Sequence, residues 1–413
     1  MTQQILTPSM IAKEALMQLK NSCVMGNLVH RDYRKEFVKV GQSISIRKPV
    51  KFTVTDGATR SNQDVEEGNT TITINKRKHV SWQFSTQDLT LSISEYSERY
   101  ITPAMITLAN QIDVDLAALY KDVWHWVGTP GQTVDSFADL SKGPQRLDEM
   151  AVPMDMRRAV LAPADAWGMI GNLTGLGLLP QGGRDNASLE AYRKASLGMV
   201  ANLDTYQDQN IQRHTVGTGT GTPLTDGSSH AVTYGAVLSS YQQSLVTDGW
   251  TASKTLKAGD VFTLDGVYAV NPVSKATLDF LQQFVLVSDV TTNATTTNDT
   301  TLTISPPIIT SGPYQTVSAD PGDGATITYL GTAATVYPQN LVFHKNAFAL
   351  VTVPLELPRS ASFKARENYD GFSIRLVEDY DIDNDVEIIR ADVLYGVKTI
   401  YPELATRISG TPS

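Results

Sequence analysis

The chain has 413 residues, 41% of them hydrophobic, and a formal net charge of −9 at pH 7. That length exceeds one ordinary core and predicts two or three domains, while the apolar content excludes general disorder. The acidic balance argues against broad binding to a nucleic-acid phosphate backbone, which needs clustered Lys and Arg.

No run of about 18 apolar residues occurs, so no helical membrane span is expected. The opening residues, polar and then amphipathic, lack the basic and apolar regions of a Sec signal peptide. Cys23 is the single cysteine, which excludes an intrachain disulfide and any Cys-based metal cluster and suits a reducing cytosol.

Residues 8–20 predict a short helix. Thr7 can cap it, Pro8 can open it, and Ile11, Ala15, Leu16 and Leu19 form its apolar stripe. Such a stripe must dock on its own subunit or on a neighbour. Strand patterning follows from Lys39 to Thr86. Ile44 and Ile46 alternate with serines, Phe52 and Val54 continue after Pro49, Thr70–Ile74 is β-branched, and Val80, Trp82 and Phe84 alternate again. Between the two limbs lies a polar stretch with Asp56-Gly57 and Glu67-Gly68 turn signals. This reads as a long two-stranded excursion that needs support, because an isolated ribbon is marginal in water. Its charges separate, with Asp64, Glu66 and Glu67 near the tip and Lys76, Arg77, Lys78 and His79 on the returning limb. They could be solvated charges or a projecting arm that meets complementary charges on another subunit.

From Pro103 to Val127, Met105, Leu108, Ile112, Leu116, Leu119, Val123 and Trp126 recur at steps of three and four. The pattern predicts one amphipathic rod nearly 40 Å long at about 1.5 Å per residue. Thr102 serves as its cap, and Gly128 and Pro130 stop it. A helix over Asp135–Met150, a strand at Arg158–Ala162, a helix at Pro163–Ile170, a glycine-rich loop at Gly171–Gly183 and a helical stretch at Ala187–Ser196 then define an α+β domain.

The run Gly217–Gly221 is not followed by a helix, so it reads as a flexible linker and not a phosphate loop. Short strands with Asp265-Gly266 and Asp323-Gly324 turns follow, which predicts a small inserted all-β barrel or sandwich. Mixed character returns after Tyr337. The strands Phe372–Leu376 and Val386–Ile389 are expected to complete the sheet begun before the insertion.

Little points to catalysis. The six histidines have no ligand spacing, and the zinc-protease, P-loop and nucleophile-elbow motifs are absent. Alternate carboxylates at Asp379, Asp381, Asp383 and Asp385 could bind Ca²⁺, and Asp381, Asp383 and Asp385 begin like an EF-hand loop. However, Val386 stands at the sixth position of that loop and Asp392 at its twelfth, so a strand face, with Ile382 and Val386 inward, or an acidic loop is the preferred reading.

Several strings carry a family resemblance: Asn340–Phe348, Tyr369–Arg375, Tyr380–Asp385 and Asp392–Lys398, with Gly259–Pro272, Leu281–Phe284 and Ile304–Ile309 in the insertion. They resemble the coat proteins of short-tailed phages of the Salmonella phage P-22 type. The resemblance implies an α+β Hong Kong 97-type capsid fold with an extended β-hairpin loop, a long spine helix, a mixed α/β axial domain and an inserted all-β barrel. It implies an N-terminal arm (1–38), extended loop (39–90), spine-helix region (91–134), first axial part (135–224), barrel (225–336) and second axial/peripheral part (337–413).

The function implied is that of a non-enzymatic major capsid protein with no cofactor. It would assemble in the host bacterial cytoplasm into hexamers and pentamers of an icosahedral head around double-stranded DNA. Its partners would be other copies of itself, a scaffolding protein and a portal protein at one vertex, with no sequence-specific nucleic-acid binding and no membrane. Candidate inter-subunit contacts are Asp64, Glu66, Glu67, Lys76, Arg77 and Lys78 on the arm, and Asp248, Lys254 and Lys257 in a barrel loop. Reversing Lys76, Arg77 and Lys78 to Glu is expected to impair assembly while the subunit stays folded. The alternative is a β-rich virion binding or decoration protein that recognises a host-surface glycan.

Overall fold

The computed structural model describes residues 8–33, 43–58, 60, 62–85, 100–175, 198–296, 298–359, 361, 363–382 and 386–412. In chain order, α1 (Pro8–Ser22) and the single turn α2 (Met25–Leu28) precede β1 (Ser43–Arg47), β2 (Asn69–Thr73), β3 (Lys76–Ser85) and α3 (Thr102–Ala117). A 3-10 turn at Ala118–Asp122 leads to β4 (Trp126–Val127), α4 (Phe137–Glu149), β5 (Arg157–Leu161) and α5 (Pro163–Gly175). Next come β6 (Met199–Val200), β7 (Leu203–Gln207), β8 (Arg213–Thr215), β9 (Gly221–Thr225), α6 (Tyr234–Val237) and β10 (Gln243–Trp250). These precede β11 (Thr255–Leu256), β12 (Val261–Val270), β13 (Thr277–Leu286), β14 (Val290–Thr291), β15 (Thr300–Ser305) and β16 (Ile327–Tyr329). The chain closes with β17 (Val336–Pro338), β18 (Asn340–His344), β19 (Phe348–Thr352), β20 (Phe363–Tyr369), β21 (Phe372–Asp381), β22 (Val386–Thr399) and β23 (Ala405–Ile408).

These elements fall into two compact units. One comprises Met1–Ser45, Thr71–Ala117 and Phe348–Thr399, and the other Ile46–Thr70, Ala118–Ala347 and Ile400–Ser413. In the first unit β22 organises an antiparallel sheet. It pairs with β21 on one side, with β3 from Val386 to Tyr395, and with β19 from Tyr395 to Thr399, while β20 extends the sheet beyond β21. The stripe of α1 is buried at Ile11, Ala12, Ala15, Leu16 and Leu19, and the helix packs on α3, β20 and β21 of its own chain. The buried stripe of α3 is Met105, Leu108, Ile112 and Leu116. On the same helix, buried Asp113 accepts from the backbone N–H groups of Val24 and Gly26 at 2.7 and 2.9 Å. Its carboxylate thus satisfies the orphan donors at the start of α2, which has no side-chain cap of its own.

In the second unit a mixed sheet runs β4-β23-β18-β5-β7-β6. Its core gathers Leu140 and Leu147 of α4 with Ala159, Leu161, Met169, Leu203, Val342 and Ile408. Between β8 and β17 the chain leaves to build the inserted domain. Its six strands run β16-β12-β13-β15-β10-β9, and a Leu224–Thr326 bridge joins the two ends into a closed barrel. Phe262, Phe284, Leu264, Leu286, Leu302 and Ile304 fill it. The exit and return strands β8 and β17 pair antiparallel, His214 opposite Tyr337, so the ends of the insert meet at a neck.

Several expectations change. The rod expected over Pro103–Val127 is helical only to Ala117, after which a 3-10 turn and β4 take over. Val123 and Trp126 are buried as their spacing requires, but by a different backbone, whereas Leu119 is only half-buried. Trp126 and Val127 pair in parallel with Arg407 and Ile408, and a Cβ at Gly128 would stand 1.9 Å from the Ser409 carbonyl oxygen. Gly128 therefore permits close strand approach and does not cap a helix. Thr102 lies already inside α3 and is not its cap. Gly171–Gly175 is the last turn of α5 and not loop, while 176–197, with the expected helix at Ala187–Ser196, lie outside the described residues.

The ribbon is also shorter than expected. β1 and β2 pair, but Phe52 and Val54 are exposed outside any strand, and β3 joins β22 instead of returning along the ribbon. The run Gly217–Gly221 is not a flexible linker. Gly217 is buried, Thr218 N–H donates to Thr255 O, Thr251 N–H donates to Thr220 O, and Gly221 opens β9. The final sheets divide as well: β21 and β22 join β3, whereas β18 and β23 complete the sheet of β5. Ile382 is 80% exposed and does not face inward, and Asp383 and Asp385 lie outside the described residues.

Candidate assembly surface and buried neck network

Past β1 and β2 the two limbs of the arm continue without a strand ladder to a polar end. Asp64, Glu66 and Glu67 are all exposed there. Arg47 reaches Glu67 at 3.1 Å, but that arginine is 81% exposed and water screens the pair. The acidic charge of this stretch is therefore available at the surface.

The three basic candidates on β3 do not project with the arm. Because β3 is paired along its whole length, its alternate residues fall on opposite sheet faces. Lys76 Nζ lies 3.0 Å from Asp115 on α3, and the same carboxylate accepts from the Tyr395 hydroxyl at 2.6 Å. Arg77 faces the other way, 3.5 Å from Asp392. Lys78 is half-buried on the side of Lys76.

Asp392 is fully buried and also receives Arg375 Nη2 at 2.5 Å and Arg390 Nε at 2.9 Å. Burial acts to raise its carboxyl, but hydrogen bonds from Arg375 and Arg390 outweigh that and hold it below the ordinary value. Three guanidiniums around one carboxylate leave this sheet face basic in an otherwise acidic protein.

The barrel candidates do not share one loop. Asp248 sits within β10 opposite Leu224, half-buried beside a bulge, whereas Lys254 and Lys257 flank the two-residue strand β11. The Lys254 backbone donates to Thr292 Oγ1 and that of Lys257 to Asp260 Oδ2. Among the described residues, no group of three or more His, Cys, Asp or Glu side chains is placed to hold a metal ion.

A second polar centre had no signal in the sequence. At the neck, His214 of β8 places Nε2 2.7 Å from Asp260 Oδ1 and Nδ1 3.0 Å from the Tyr120 hydroxyl. Asp260 also accepts from the backbone N–H groups of Gly217 and Lys257. Beside it, buried Arg407 of β23 donates to Gly259 O at 2.8 Å and to Gln339 Oε1 at 3.2 Å, and stacks over Tyr120 and Trp126. Burial pushes this guanidinium down to about 10 against the opposing pull of Tyr120 and Asp260, and it remains charged at neutral pH. Burial likewise raises the Tyr120 phenol, which keeps its hydroxyl protonated. Gln283 of β13 adds a reciprocal pair to the Trp126 backbone, accepting from its N–H at 2.7 Å and donating to its carbonyl at 2.8 Å. Side chains from the 3-10 turn, the neck, the barrel and the last strand thus meet where the insert joins its host sheet, although Nε and Nη2 of Arg407 have no hydrogen-bond partner there. The arrangement holds elements in place.

Comparison with known proteins agrees with a structural role. The family model described as "P22 coat protein - gene protein 5" matches residues 2–410, and the chain belongs to that family. A major capsid protein of Acyrthosiphon pisum secondary endosymbiont phage 1 is 26% identical over 295 residues, covering 69% of this chain and 68% of the relative. Among solved structures, Mycobacterium phage Che8 gives a TM-score of 0.48 at 14% identity, with 93% and 90% of the two chains covered. The CUS-3 coat protein I-domain gives 0.20 at 26% identity, covering 27% of this chain and 98% of the other. The protein belongs to a family of phage coat proteins and is the shell-forming major capsid protein of a phage. Its architecture is mixed α+β, with several sheets and an inserted barrel. Its family is structural and not enzymatic.

Proposed function

We propose that the chain assembles into hexamers and pentamers of an icosahedral head that encloses double-stranded DNA, without catalytic activity of its own. The family match over residues 2–410 carries this reading. A scaffolding protein during assembly in the host cytoplasm and a portal protein at one vertex complete the set of partners. The barrel between β8 and β17, which includes β9 (Gly221–Thr225) and so begins ahead of the expected residue 225, acts as the insertion domain, 91–134 as the spine-helix region, and the segments on either side of the barrel, from 135 to β8 and from β17 to 413, as the axial and peripheral parts. The exposed acidic groups Asp64, Glu66 and Glu67 meet basic groups of neighbouring copies, to which Arg77 and Lys78 contribute. Asp248, Lys254 and Lys257 serve contacts between capsomers.

The full chain, expressed alone and with a scaffolding partner, should form closed shells or capsomers in electron micrographs. A monodisperse monomer under every assembly condition overturns the reading.

A further inference from the structure

The two limbs of the arm are not free-standing, and what holds them is a face of the inserted barrel. Beyond the ribbon, one backbone rung remains, from Lys48 N–H to Gly68 O at 2.7 Å. The limbs then separate around Tyr314. Its hydroxyl accepts from Lys51 N–H at 3.2 Å on one limb and donates to Glu66 O at 2.8 Å on the other. Farther out, the Gln63 side chain spans the gap, accepting from Thr53 N–H at 2.9 Å and donating to Thr53 O at 2.5 Å.

Tyr314 is fixed from behind. Its ring stacks on Tyr234 with centroids 3.5 Å apart and planes 7° from parallel, within a buried cluster that includes Val237 and Ile309. The arm is cut to fit this platform. A Cβ at Gly68 would stand 2.3 Å from the Tyr234 hydroxyl and 3.0 Å from Leu238 O, and the Lys48 ammonium lies 5.1 Å from the Tyr241 ring centre.

We infer that the Tyr234–Tyr314 face of the barrel is an intrachain clamp that fixes the base of the arm in its extended form on the free subunit, before any neighbour is met. An extended pair of limbs without a ladder would otherwise lose the entropy of ordering at the moment of assembly. The clamp places that ordering in subunit folding and gives the inserted barrel a task within its own chain. Its value for assembly rests on the reading that the arm contacts neighbouring copies, but the clamp itself does not.

The test is amide hydrogen exchange on the unassembled full-length chain. Tyr314→Phe keeps the stacked ring and removes only the bridging hydroxyl. Exchange at Lys51 should rise about tenfold, the loss expected for one buried hydrogen bond, with faster exchange at Thr53. The amides of Phe262 and Phe284 in the barrel ladder should stay unchanged. Gly68→Ala acts from the arm side and should loosen the same amides without altering the barrel sequence. Equal exchange at Lys51 and Thr53 in wild type and both variants overturns the clamp, and the shell reading still stands. Loosened amides with unchanged shell yield confirm the clamp, and they count against the arm's part in assembly.

Discussion

His214 Nε2 lies 2.7 Å from Asp260 Oδ1, and both side chains are buried where the barrel joins its host sheet. The two residues are 46 positions apart, and the carboxylate also holds the Gly217 and Lys257 amides. One side chain thus fastens the exit of the insert, the start of β12 and the neck strand together.

Asp260→Ala should therefore be among the costliest single substitutions in the second unit. It leaves two backbone N–H groups and the imidazole without their acceptor, a loss of roughly 3–5 kcal/mol for a buried charged partner. Asp260→Asn keeps one acceptor oxygen and should cost less. Thermal unfolding of the free subunit measures both, and a midpoint within a degree of wild type for the alanine variant would contradict the assignment.

His125 supplies a pH dependence. Burial drives its imidazole well below the ordinary value, and the Arg146 guanidinium adds to the effect. The unfolded chain takes up a proton near pH 6.5, which the folded chain refuses, so stability falls as pH falls through that value. Relative to His125→Phe, the wild type should lose up to about 1.4 kcal/mol per pH unit below about pH 6.5. Denaturant midpoints at about pH 7.5 and about pH 5.5 measure this, and a constant difference between the two proteins would refute it.

The glycine run can be tested directly. A Cβ at Gly217 would lie 2.6 Å from Thr255 O and 2.7 Å from Asp260 Oδ2. Gly217→Ala should destabilise by about 1–3 kcal/mol, whereas a flexible linker would tolerate it. Susceptibility of the neck to protease should rise in parallel.

Charge reversal on β3 should not act uniformly. Lys76→Glu faces Asp115, and Arg77→Glu faces Asp392, so both should lower the unfolding midpoint of the free subunit. The triple reversal of Lys76, Arg77 and Lys78 should therefore combine a loss of stability with any loss of assembly. Lys78→Glu alone should stay within about 0.5 kcal/mol of wild type and is the variant that isolates an assembly role. If Lys78→Glu forms shells in normal yield, that residue makes no charged contact between copies.

The sequence by itself determined the burial of the main helix and barrel stripes and the order of the elements, though not the exposure of Phe52, Val54 or Ile382. The stripe of α1, the stripe of α3 up to Leu116, the β-branched runs of the barrel and the family strings were all legible, because periodicity records which face of a segment leaves water. Even where the helix ends early, Val123 and Trp126 are buried as their periodicity indicates.

Only the tertiary structure decided which backbone carried that burial and which strands became neighbours. Trp126 entered a strand because Arg407, 281 positions later, offered a ladder partner, and β3 left the ribbon because β22 did. The run 217–221 reads as slack in the sequence because nothing local shows the Thr255 carbonyl and the Asp260 carboxylate that crowd Gly217. The same reason hid the neck network and the Tyr314 bridge. A hydrogen bond between residues far apart in the chain leaves no periodic trace, since its geometry exists only once the barrel has closed and returned the chain to its host sheet.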